Sequence, residues 1–99
     1  MSSEPRLTYP TLRVLNVLLE DPDEPQYGFA IAKRTKLAAG SLYPILARLE
    51  RIGWLASEWE GDEPFTPGRP RRKYYRLTAL GERSARAALL ELRPSWSAP

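Results

Sequence analysis

The sequence predicts an α+β chain, mainly α, built from three helices, a two-stranded hairpin and a fourth helix. Three observations predict it. Leucines and isoleucines recur at helical spacing in the first half, the pattern switches to alternation at Trp54, and helical spacing returns after Thr78. A chain of 99 residues is enough for one modest core.

The first helix is expected over about 9–20, where Leu12, Leu15 and Leu19 recur beside Val14 and Leu18. Thr8 is its cap and Pro10 lies in its first turn, where a missing N–H costs little. The acidic, proline-containing break DPDEPQ ends it. Helix two, YGFAIAKRT, spans about 27–35, with Phe29, Ile31 and Ala32 as core contacts and Lys33, Arg34 and Lys36 outward.

Helix three starts at residue 39 or 41 and runs to 52. Leu42, Ile45, Leu46, Leu49 and Ile52 form one apolar stripe. The opposite face carries Gly40, Pro44, Ala47 and Arg51, flanked by Tyr43 and Arg48. With Ser41 as N-cap, Pro44 falls at the third helical position and loses no hydrogen bond. Gly53 closes the helix.

WLASEWE, residues 54–60, then alternates as a strand, and RRKYYRLT returns as a second strand after a Gly- and Pro-rich loop. Tyr75 and Leu77 are assigned to the core, and Arg72, Tyr74 and Arg76 to the other face. Thr78 caps a fourth helix that ends at Pro94.

Charge and chemistry exclude more than they select. The chain has neither Cys nor His, which removes disulfides, zinc fingers and imidazole-dependent catalysis. Its acids cluster in turns, so no enzyme and no cofactor is expected. The N-terminus has no signal-peptide layout and no apolar run reaches membrane length, which makes a cytoplasmic location the expectation. The net charge is +3, and subtracting the +5 of residues 69–76 leaves −2 elsewhere. Such local positive charge suits phosphate binding.

Three helices followed by a hairpin is the order of a winged helix-turn-helix, whose second motif helix reads the DNA major groove. That places Ser41, Tyr43 and Pro44 of helix three at base edges, with Arg48 and Arg51 as phosphate anchors. Lys36, just before the helix, is counted with them. Arg69, Arg71, Arg72 and Lys73 lie after the hairpin turn, placed to reach the backbone or minor groove. Glu58, Glu60, Asp62 and Glu63 on the first arm are the competing partners, with pairing expected near Arg76 and free bases at the tip.

YGFAIAKR, GSLYPILARLERIGWL and GRPRRKYYRLTALG together resemble the successive signatures of PadR-like transcriptional regulators, over about residues 12–92. The resemblance implies a dimeric winged-helix repressor on a palindromic operator. Ser41, Tyr43 and Pro44 would enter the major groove, and the wing bases would contact the backbone. It also raises an aromatic small-molecule effector, since some relatives respond to such compounds. Ala38 and Ala39 stand where the family commonly has Ser-Pro, and the chain resembles the short subgroup.

The expected division is a DNA-binding domain over 8–77, a dimerisation helix over 78–93 and a tail over 94–99. Leu80, Ala85, Ala88, Leu89 and Leu92 are assigned to the dimer contact, the alternative being that helix four packs back on helix one. A winged-helix module for protein docking through Trp54, Trp59 and Tyr74, without DNA binding, is the competing function.

Overall fold

The computed structural model describes residues 7–60 and 72–97, with side chains as far as residue 91. Four helices enclose one core beside a three-stranded antiparallel sheet of order β1-β3-β2. Among the described residues no helix is long and apolar enough to cross a membrane.

Helix α1, Tyr9–Leu19, begins as its sequence requires. Thr8 is extended (φ −75°, ψ 163°) and its Oγ1 accepts the Thr11 N–H at 3.4 Å. Val14, Leu15 and Leu18 are almost wholly buried and form the floor of the core. Helix α2, Gly28–Thr35, follows a two-residue strand β1, Gln26–Tyr27. It ends at Lys36, a non-glycine residue held left-handed at φ 62°. Side-chain bonds help to secure that end. The Thr35 hydroxyl donates to the Ile31 carbonyl at 2.7 Å, and the Arg13 guanidinium of α1 donates to the Thr35 carbonyl. A cation at a helix C-terminus also complements the dipole.

Helix α3, Ala39–Arg51, corrects two expectations. Ala38 occupies the N-cap and gives no side-chain bond, so Ser41 is not the cap. Pro44 therefore lies inside the helix and deprives the Gly40 carbonyl of its partner, which is tolerable because Gly40 is exposed to water. Leu42, Ile45, Leu46 and Leu49 are buried as the stripe predicts. At the far end Gly53 (φ +86°) donates to Glu50 O at 3.1 Å and Trp54 to Leu49 O at 2.9 Å. Those two bonds make a Schellman motif, which turns the chain directly into the sheet.

Strands β2, Leu55–Trp59, and β3, Lys73–Leu77, pair with Leu55 opposite Leu77 and Trp59 opposite Lys73. The expected two-stranded hairpin thus supplies an edge strand, β2, and the central strand, β3, of a three-stranded sheet. β1 adds to β3, with Gln26 opposite Tyr75 and Tyr27 opposite Tyr74. A two-residue strand beside Pro25 carries no period from which to predict it. Tyr75 and Leu77 face the core as assigned. Phe29 does not: it is 51% exposed, because the core side of α2 falls on Ile31.

Helix α4, Ala79–Ser97, passes through Pro94 instead of ending there. Proline's fixed φ is itself helical, so one hydrogen bond is lost without terminating the helix. Thr78 anchors its start three ways. Its backbone N–H reaches Trp54 O at 3.0 Å, its hydroxyl donates to Gly53 O at 2.6 Å, and its Oγ1 accepts the Gly81 N–H at 2.9 Å. The first turn thereby crosses the Trp54 backbone so closely that a Cβ on Gly81 would lie 2.7 Å from the Trp54 carbonyl carbon.

α4 packs on α1 and β3, and this divides the expected dimerisation stripe. Ala85 and Ala88 are buried within the chain, so they do not face outward as the sequence reading places them. They sit on the α4 face turned to the core, where small side chains let α4 lie close. Leu80 is 46% exposed, Leu89 is half-buried, and the Leu92 side chain lies outside the described residues, as does that of Trp96.

Candidate DNA-binding face

The apolar stripe of α3 is consumed by the core, so its opposite face must point to solvent. Ser41, Tyr43, Pro44, Ala47, Arg48 and Arg51 are all exposed there, and Lys36 is exposed in the turn just before. All six expected α2–α3 residues are thus exposed. Tyr43 does not project freely, however. A Cβ on Gly28 would meet its hydroxyl at 2.7 Å, so the ring lies across the start of α2 where only glycine leaves room.

The wing bases are held differently from the expectation. Arg69 and Arg71, with Gly68, Pro70, Asp62 and Glu63, lie outside the described residues. Arg72 bonds Glu60 at 3.0 Å and stacks 4.6 Å from the Tyr27 ring centre. Lys73 sits 3.8 Å from Glu50 of α3 and 5.5 Å from the Trp59 ring centre. Arg76 has no ion pair among the described residues, because the register puts it opposite Ala56. Charge pairing is therefore near Arg72 and Lys73 rather than Arg76. Both pairs are partly solvated and contribute at most about 1 kcal/mol each, so neither prevents a phosphate from recruiting the cation.

An aromatic ledge joins the two halves of the face. Tyr27 and Phe29 stack with ring centres 6.1 Å apart, and the Tyr27 hydroxyl donates to Glu60 at 3.2 Å. Burial, and then the Glu60 carboxylate, push the Tyr27 phenol above its ordinary value. Burial, followed by Glu50, does the same to Tyr75. Tyr27, Phe29, Tyr43, Trp59 and Tyr75, with Gly28, Arg72 and Lys73, line a cavity of about 380 Å³ between α2, α3 and the wing. The sequence reading did not assemble this ledge. Its signal was the pairing of YGF with the aromatic strands, legible only once β1 is known.

Glu50 was also missed as a site residue. It accepts the Ser57 hydroxyl at 2.6 Å and faces Lys73, so it fixes α3 against the wing. Among the described residues no cluster of acids could hold a metal ion.

A solvent-facing third helix, set by a glycine turn against an antiparallel wing, defines a winged helix-turn-helix protein. The family model for the "Transcriptional regulator PadR-like family" matches residues 14–87, and the chain belongs to that family. A PadR family regulator of Eggerthella lenta DSM 2243 is 36% identical, with a TM-score of 0.67, covering 85% of this chain and 74% of its own. One from Clostridium difficile R20291 is 27% identical, with a TM-score of 0.69, covering 87% and 88%. A structure of reduced AbfR bound to DNA is 29% identical, with a TM-score of 0.66, covering 91% of this chain and 57% of that one. No curated protein matches at a significant level. Regulators of this family are not enzymes, in agreement with the sequence reading.

Proposed function

We propose that this chain is a sequence-specific double-stranded DNA-binding repressor that acts in the cytoplasm as a homodimer on a palindromic operator. The exposed α3 face carries the reading. Ser41, Tyr43 and Pro44 sit at its N-terminal end, where base edges are met, and Arg48 and Arg51 follow where phosphates run. The DNA-bound AbfR, of similar fold, supports it.

The dimer contact is best assigned to the groove between α1 and α4, about 580 Å³ in volume and lined by Tyr9, Leu12, Leu19, Leu89 and Leu90 among others. Leu90 is 60% exposed and Tyr9 70%, and the groove also holds Arg13, Arg86 and Glu20. Apolar contacts with charges of both signs suit a self-complementary two-fold interface. Leu90→Glu should convert the dimer to a monomer in sedimentation equilibrium, and an unchanged mass would overturn that assignment.

Selection of bound duplexes from a random pool tests the whole reading. Enriched sites should contain two inverted half-sites about one helical turn apart. A pool that shows no enrichment would overturn it. Within an enriched site, Tyr43→Ala should relax preference at a few positions while retention on random duplex persists.

A further inference from the structure

We infer that Gly28 is a positioning residue for sequence reading: having no Cβ, it seats the Tyr43 ring at the N-terminal end of the α3 face and so sets the base preference that Tyr43 supplies. The inference rests on the DNA-binding reading above.

Gly28 is the first residue of α2 and is buried. Its backbone does not require glycine, because among the described glycines only Gly53 has a positive φ. A side chain there would even favour the helix, since glycine is a poor helix former. What keeps the position small lies across from it. A Cβ on Gly28 would stand 2.7 Å from Tyr43 Oη, 2.9 Å from Cε1 and 3.1 Å from Cζ, so the three nearest atoms all belong to the tip of one ring. Gly81 gives the contrast. There the atoms in the way are the Trp54 backbone, which cannot step aside, whereas Tyr43 is 43% exposed and can swing into solvent by a change of rotamer. A methyl group at Gly28 therefore evicts a side chain without opening the core.

The seat matters because Tyr43 is a long lever with its one hydroxyl at the end. On an open helix face such a side chain samples several rotamers, and DNA would have to order it on binding. Pressed against Gly28, the ring is held in one place before DNA arrives, so its ordering is completed during folding and its contact is aimed. Gly28 thus acts on the DNA through Tyr43, with no contact of its own required.

Fluorescence anisotropy on a selected duplex and its single-base-pair variants tests this, with Gly28→Ala, Tyr43→Ala and the double variant. In the wild type, a change at the positions where Tyr43→Ala relaxes preference should weaken binding at least about fivefold, the low end for one misread base pair. Gly28→Ala should bring that factor below about twofold at the same positions. The double variant should match Tyr43→Ala alone, since a seat without its occupant places nothing. Affinity of Gly28→Ala for random duplex should stay within about twofold of wild type, because no cation is touched. Its urea midpoint should equal or exceed that of wild type, alanine being the better helix former. Full discrimination by Gly28→Ala, or effects of the two substitutions that simply multiply, overturns the inference. So does a urea midpoint lowered as far as by Gly81→Ala, because Tyr43 would then be a part of the core that cannot move. Undiminished preference in Tyr43→Ala at every position overturns it as well. A wild-type chain that selects no site overturns the regulator reading and this inference with it.

Discussion

Two backbone positions show how single residues set this fold. Gly81 is buried where α4 crosses the Trp54 backbone, and a Cβ there would meet carbonyl atoms that have no rotamer to escape into. Gly81→Ala should therefore lower stability by about 2 kcal/mol, in the range of overpacked cores, measured by urea denaturation. A stabilised variant would contradict the close approach, because Ala is otherwise the better helix former. Lys36 is the opposite case. It adopts φ 62°, where an L-residue is strained and glycine is not. Lys36→Gly should raise stability by about 1 kcal/mol and at the same time weaken duplex binding. Neither position stands out in the sequence, since the collision at Gly81 arises from the Trp54 backbone lying across from it and the strain at Lys36 from how α2 ends.

The helices differ in how much of their ends the sequence announces. Thr8 and Thr78 cap α1 and α4 as their positions predict, and Gly53 completes a Schellman turn. The start of α3 is announced only as one of two alternatives, because Ala38 gives no side-chain cap and Pro44 is a misleading marker inside the helix. The end of α2 is tied down from outside, by Arg13 of α1 bonding the Thr35 carbonyl. Arg13→Met keeps the aliphatic stem but removes that charged bond. A loss of about 2 kcal/mol is expected, with faster amide exchange at residues 35–37 than elsewhere in α2. Uniform exchange across α2 would mean that the link does not hold the turn.

At the scale of the whole molecule, charge governs both partner and stability. A DNA complex should weaken steeply with salt, and Arg48→Gln should reduce the slope of log affinity against log salt by about 1. Lys73→Gln should reduce it less, because Glu50 already neutralises part of Lys73. Gel-shift titration at several salt concentrations separates the two. The pH dependence is set on the alkaline side. The folded chain raises the phenols of Tyr27 and Tyr75 above their ordinary value of 10.0, burial being the main cause. A group with a raised folded value contributes stability fully below pH 10.0 and loses it as pH climbs through that raised value. Tyr75→Phe should accordingly lose less stability than wild type between pH 9 and about 11, followed by urea midpoints.

The amino-acid pattern by itself determined the four helices, the alternation of β2 and β3, the buried stripe of α3 and hence which of its faces meets solvent. Periodicity within one segment is a local property, and solvent exclusion forces its consequence. Tertiary structure alone decided that β1 joins the sheet, that Ala85 and Ala88 serve this chain's own core, and that Tyr43 leans on Gly28. It also paired Arg72 with Glu60 and Lys73 with Glu50, where charge counting had placed free bases. These features depend on which segments meet across space, through register and packing distance, and no repeat along the chain encodes that.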